Sequence, residues 1–392
     1  VRITSEDVPI DPAETSSDIN VPAIMTMMVI SGPGGHYLRL AGAPRFGIQA
    51  APEVTLTLVA EVSSPIANGQ VLQATSVTIK GNFAYVSYNM RGEPFLGAID
   101  VFDIKDPSNP KLVSEAIFLD SDIHSLTFDG DKVYAAEGTG APGFETPAVW
   151  ESIKTKKGKL VLEDNERVPL PSFAGTSAVV SGKYIYVTSG NTGGLSVFDK
   201  KSLELETFVD LPDARWVAIE GNRVVVVQGG SPNGLISVLD EVSLNVLNTF
   251  SFVGADVSES KSTVQILGEK AFIASGTGGV QVLSINTGDV VGTVSRPVVP
   301  DLDESVVVTN AVSADNDLMF IANGEAGVYL AQAEEKFDAT GSDEPQNITL
   351  LGKLRFDDLE SVNHVEYKGG MLFVAAGLGG LKIVKVEESQ DD

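Results

Sequence analysis

Residues 81–110 read GNFAYVSYNMRGEPFLGAIDVFDIKDPSNP, and this stretch decides the fold. A glycine leads into a branched and aromatic run, a second glycine into another, and a turn rich in Pro and Asn closes the unit. Branched and aromatic side chains fit a pleated surface, whereas Gly, Asn and Pro suit turns. The pattern returns as GKYIYVTSGNTGGLSVFDK from Gly182 and GEKAFIASGTGGVQVLSIN from Gly268, and more weakly from Gly130, Gly221, Asn316 and Gly369. Successive anchors lie 49, 52, 39, 47, 48 and 53 residues apart. That is the period of a four-stranded blade. Seven copies predict an all-β, seven-bladed β-propeller.

Working outward, each unit divides into strands A to D; in the third they are SAVVS, YIYVTS, LSVFD and LETFVDL. After Gly369 only 23 residues remain, enough for strands B and C of the last blade but not D. An unassigned strand, VTLTLVAEVS (Val54–Ser63), precedes the first strand A and resembles ITLLGKLRF at Ile348. It is expected to pair with the final strand C, since an open edge would leave backbone groups unpaired. Alternation would place Leu56, Leu58, Ala60 and Val62 on one face. The propeller therefore spans 54–389, with 390–392 as a tail and 1–53 as an N-terminal extension. Within the extension, Val1–Asn20 reads as a flexible leader and Ala23–Ala50 as a strand–turn–strand packed on the main body. Two units carry insertions: a B–C loop at Gly138–Pro147 with a KTKKGK turn from Lys154, and an acidic C–D loop, DATGSDEPQN, from Asp338.

Composition narrows the function classes. With 27 basic and 53 acidic residues the net charge is −26. Such a surface repels phosphate backbones and anionic membranes, and no basic, aromatic-interleaved stretch offsets it. Cysteine is absent, which removes disulfides, thiolate metal sites and cysteine nucleophiles together. No apolar run approaches the roughly 18 residues that span a bilayer. The first residue is valine, which agrees with N-terminal processing such as loss of a signal peptide. The sequence carries no GxSxG, HExxH or Walker-type motif. GTGAPG at Gly138 satisfies GxGxxG only as letters, having no βαβ unit around it.

In a propeller the D–A and B–C connections lie on one face, around the mouth of the central channel. The starts of the A strands supply Thr75, His124, Thr176, Arg215, Ser262, Asn310 and His364, with Trp216 beside the arginine and Asn363 beside the last histidine. The ends of the B strands supply Tyr88, Glu137, Ser189, Gln228, Ser275 and Asn323. Polar groups at these depths are expected to face water or a ligand, because burying them unpaired is costly. Two of the three histidines, His124 and His364, fall at near-equivalent ring positions. With Glu137 and Arg215 they are the candidates for a hydrolase or lyase site. The competing reading makes them polar groups hydrogen-bonded in the channel wall. The D–A connections are acidic, and Asp120, Asp122, Asp301 and Asp303 are candidates for a divalent cation such as calcium, although no calcium-loop spacing is present. A solvated acidic rim competes with that reading.

At GNFAYVS…GAIDVFDIKDPSNPKLV the sequence resembles the LVIVD-repeat proteins, a bacterial and archaeal group of β-propellers. The glycine, AYVA-like strand, IVDV-like strand and DPSNP turn are all matched there. They are matched in part at Gly182, Gly221, Gly268 and Gly369, where GGLKIVKV loses the aspartate; the second and sixth units lack the GL–IVD segment. YVTSGNTGGLSVFD is also similar to YVTN-type surface-layer propellers. The resemblance rests on strand and turn residues over about 54–386, so it implies fold more than chemistry. It implies an exported, envelope-attached protein, possessing no assigned activity in most relatives. The expectation is thus a monomeric, non-catalytic extracytoplasmic module, lipid-anchored or secreted. Its polar channel mouth would bind a small molecule, a cation, or an envelope protein or polysaccharide.

Overall fold

The computed structural model describes residues 2–4, 54–356 and 360–388. Seven four-stranded antiparallel sheets follow one another along the chain. Their innermost strands A are Gln73–Lys80, Ser121–Asp129, Gly175–Ser181, Ala214–Glu220, Val264–Leu267, Ala311–Asp315 and His364–Lys368. The only helix among the described residues is the single 3₁₀ turn Glu304–Val306. The repeat anchors mark the A–B turns, and all have a left-handed backbone, from Gly81 at φ 59° to Asn316 at φ 54°. Asparagine can replace glycine there because it tolerates that region better than other side-chain-bearing residues.

Strand alternation makes the ring. Successive residues of a blade point to its two opposite faces, so each blade packs on both neighbours. In blade 1, Ala84, Val86 and Tyr88 enter the seam with blade 7, whereas Tyr85, Ile99 and Val101 enter the seam with blade 2. Seven buried apolar clusters result, one for each seam. They include the seam between blades 7 and 1, so the circle is closed.

Val54–Val62 pairs antiparallel with Leu381–Glu388 and completes blade 7. The shared face expected for Leu56, Leu58, Ala60 and Val62 is not observed. A bulge shifts the register between Leu58 and Ala60 and leaves Val59 without a counterpart. An extra residue reverses the alternation. Val54, Leu56 and Leu58 consequently pack in the seam with blade 6, and Val59, Ala60 and Val62 in the seam with blade 1. Burial of Leu56 alone, 1% exposed, is worth about 2 kcal/mol.

Arg2–Thr4 lies antiparallel to strand D of blade 1, Lys111–Phe118, as a fifth strand. The rest of the expected leader and the strand–turn–strand at Ala23–Ala50 lie outside the described residues, as does the tail at 390–392. Both insertions are ordered. The acidic C–D loop of blade 6 folds back on blade 5, where the Phe337 and Thr340 carbonyls and the Thr340 hydroxyl accept from Lys270 Nζ at 2.8, 3.0 and 3.1 Å. The B–C loop of blade 2 leaves strand B at Thr139 and rejoins strand C at Ala148, its Thr146 hydroxyl donating to the Leu170 carbonyl at 2.6 Å.

Candidate functional site: the channel ring

The polar residues at the ring form a belt of contacts between blades. In blades 1 to 4 the register of strand A shifts around one bulged residue: Thr75, His124, Thr176 or Arg215. Freed from the sheet, each side chain reaches the next blade. Thr75 Oγ1 donates to the Ile123 carbonyl at 2.7 Å, and Thr176 Oγ1 to that of Ala214 at 2.9 Å. His124 Nδ1 lies 2.9 Å from the Gly175 carbonyl, and Arg215 Nη1 donates to that of Val257 at 2.7 Å. Blade 5 accepts instead, Thr263 Oγ1 taking the Val312 N–H at 3.2 Å. Asn310 and Asn363 then donate to the carbonyls of Val362 and Ala74 at 3.2 and 2.9 Å. Every seam thus carries a belt bond that satisfies polar groups which burial would otherwise penalise.

This belt corrects the equivalence of the two histidines. Asn363, not His364, is the blade 7 counterpart of His124. His364 occupies the position of Trp216, one residue further along. The sequence pattern gave no sign of the bulges that set this offset.

The B-strand ends are mostly held within their own blades. Gln228 bridges the Pro212 carbonyl and the Ser237 hydroxyl at 3.1 and 2.8 Å. Asn323 accepts from Thr309 at 2.6 Å, and Ser275 donates to the Gly279 carbonyl at 2.9 Å. Ser189 and Tyr88 are fully buried. Beside Tyr88, burial and the nearby Glu115 hold the Asp100 carboxyl well above the usual carboxylate range. Ser262, also fully buried, accepts from Arg215 Nη1 at 3.3 Å.

The four catalytic candidates serve different partners. Arg215 pairs with Asp213 at 2.7 Å. Glu137 is fully buried in blade 2 with Arg167 at 3.8 Å, and Arg167 also pairs with Asp120 at 2.8 Å. Burial lowers the His124 pKa to about 4, which the bond to Gly175 only partly offsets. Burial and then Lys261 lower that of His364 to about 3, with the Val77 backbone acting in the opposite direction. Both rings are therefore neutral near pH 7.

The four aspartates named for a cation are dispersed. Asp120 holds Arg167, and Asp301 holds Arg355 at 2.7 Å. Asp122 accepts the N–H groups of Leu96 and Met90 at 3.0 and 3.3 Å. Burial nevertheless raises its pKa to about 6. Asp303 caps the 3₁₀ turn through the Ser305 N–H at 2.8 Å. Among the described residues no three His, Asp or Glu side chains converge on a metal position.

The residue that sequence reasoning missed is Lys261. It stands in the ten-residue connection from Val253 to Val264, before strand A of blade 5. Its Nζ crosses the ring to the His124 carbonyl of blade 2, at 2.6 Å. The ammonium lies 5.9 Å from the Trp216 ring centroid. Trp216 in turn stacks on His364 of blade 7, with centroids 5.6 Å apart and planes 28° apart. Two contacts, from blade 5 to blade 2 and from blade 4 to blade 7, therefore bridge the axis. All four side chains keep some accessible surface. Burial alone pulls the Lys261 amine down to about 7.

Fold and ring together define a seven-bladed β-propeller, a class that supports binding or scaffold roles in general. The LVIVD repeat model matches residues 73–116, which span strands A to D of blade 1, the stretch whose sequence resembles that repeat. Among curated proteins none matches. The solved structure titled "Structure of U3-55K" is similar with a TM-score of 0.59 at 12% identity, covering 86% of this chain and 100% of that one. The structure titled "Structure of Dos1 propeller" has a TM-score of 0.50 at 14% identity, covering 77% and 74%. At such identities the likeness establishes the fold alone. No helix among the described residues is long and apolar enough to cross a membrane.

Proposed function

We propose that this protein is a non-catalytic binding module, exported to the periplasm or cell surface, which uses the channel ring for a small ligand. The observation that carries the reading is the belt. His124 and Arg215 are engaged in holding neighbouring blades together, and Glu137 is engaged with Arg167, so three of the four catalytic candidates already have structural duties. An enzyme needs an acid and a base within reach of one reacting point. What the belt leaves over is Lys261, Trp216 and His364, a polar and aromatic lining at the axis. Attachment to the envelope, through a lipid or through envelope protein or polysaccharide, rests on the family resemblance. Calcium or another divalent cation at the mouth finds no support in the dispersed aspartates.

The test is to purify the protein natively, denature it and identify the released small molecules by mass spectrometry, alongside a panel of hydrolase and lyase substrates. A stoichiometric bound molecule without turnover is expected. Turnover abolished by His364→Ala would establish the catalytic alternative instead. Fractionation of producing cells tests location, and a cytoplasmic protein would refute export.

A further inference from the structure

Lys261 stands apart from the other buried cations. Arg167 has Asp120, Arg215 has Asp213, and Lys382 has Glu61 and Glu360 at 2.9 Å each. Lys270 is caged by three oxygens, with Glu344, Asp338 and Asp343 nearby. Lys261 has one carbonyl and, among the described residues, no carboxylate. This is unexpected in a chain of net charge −26. The titratable groups that feel its charge are His124 from blade 2 and His364 from blade 7, while Arg215 of blade 4, paired with Asp213, binds Ser262 beside it in the chain. On its own connection, Glu259 turns outward to Arg91 at 2.8 Å. One donor of the amine is used by His124, which leaves two for another partner. His364 Nδ1, a buried atom, makes no hydrogen bond.

We propose that the centre of the channel is an anion site in which Lys261 Nζ binds a small monovalent anion, with Trp216 as one wall. This deepens the binding-module reading and rests on it. A buried amine with no counter-charge of its own is satisfied when the ligand brings the negative charge. The anion is a halide or the carboxylate of a small acid, of a size to sit beside the two side-chain contacts that bridge the ring. Binding favours the ammonium form, so it draws a proton from solution wherever the free amine is partly neutral.

The experiment titrates a Trp150→Phe variant, in which Trp216 is the sole tryptophan and is excited selectively, with sodium chloride, formate, acetate or phosphate. Sodium gluconate keeps the ionic strength constant. A saturable change with chloride, or with formate and acetate, is expected, and which series responds separates halide from carboxylate. In weakly buffered solution at pH 8 the same addition to wild-type protein should take up close to one proton per anion bound. Lys261→Met should weaken binding at least about tenfold and abolish the uptake. A response linear in salt, equal for all anions, or unchanged in Lys261→Met overturns the proposal. So does the absence of proton uptake by wild-type protein, a readout that does not depend on the variant folding. An uncharged molecule recovered from native protein would overturn it too, while leaving the binding-module reading in place.

Discussion

Lys270 and Lys261 stand nine residues apart, and the fold treats them in opposite ways. Lys270 opens strand B of blade 5 just past its A–B turn, where the blade 6 insertion wraps it with three oxygen acceptors and supplies acidic neighbours. Lys261 precedes strand A and points across the axis to a single carbonyl. Desolvation lowers both amines, but only Lys270 receives compensation from surrounding carboxylates. Buried charge is tolerated where partners surround it, and is costly to the folded state where they do not. The caged lysine is therefore a structural element, and the bare one is available to a ligand.

The largest effect should come from breaking the cage. Lys270→Met leaves the Phe337 and Thr340 oxygens without their donor and should cost about 3 kcal/mol in urea unfolding. A loss below about 0.5 kcal/mol would mean that the insertion needs no anchor.

Acid should act next, through the channel. The two histidines have folded-state values of about 4 and 3 against an ordinary 6.5. Between those limits the unfolded chain binds more protons, so stability falls as pH drops from about 6.5 toward 4. Glu366, raised by burial to about 7, opposes this: from 4.5 to 7 the folded state holds its proton, and stability falls as pH rises. Melting temperatures of wild type, His364→Leu and Glu366→Gln across pH 4–7 separate the two, His364→Leu flattening the acid side and Glu366→Gln the neutral side.

A smaller effect, stabilising on substitution rather than destabilising, is expected at the bare amine. Its pKa is lowered to about 7 from 10.5, so wild-type stability should rise between pH 7 and 10.5. Lys261→Met should remove that slope and, at pH 6 without added ligand, stabilise by about 1 kcal/mol. A destabilised Lys261→Met would instead make the cross-axis bond to His124 a strut. Least of all, Asp343→Ala, at the exposed rim of the Lys270 cage, should leave the melting temperature nearly unchanged in a thermal scan.

The same contrast marks what the sequence could reveal. Turn residues and alternation are local, so the seven anchors and the circular closure were legible. Polar starts of strand A at Thr75, Thr176 and Asn310 could be read as a ring, although not as a belt, because the acceptors are backbone carbonyls of other blades. A bulge adds one residue without changing composition, which is why His364 was aligned with His124 and why Val59 passed unnoticed. Lys261 was invisible for another reason. Position in a repeat gives a direction around the axis, while the reach of a long side chain from an irregular connection depends on how its backbone is set. Glu137 carried no local sign that Arg167, thirty residues on, would turn it inward.

The surplus residue Val59 has one more consequence. A strand that changes faces halfway grips both neighbours of the last wedge, as a rivet passes through two plates. Peeling residues 54–62 away would release blade 6 and blade 1 in the same event, so rupture of the circle has no half-open stage at this joint.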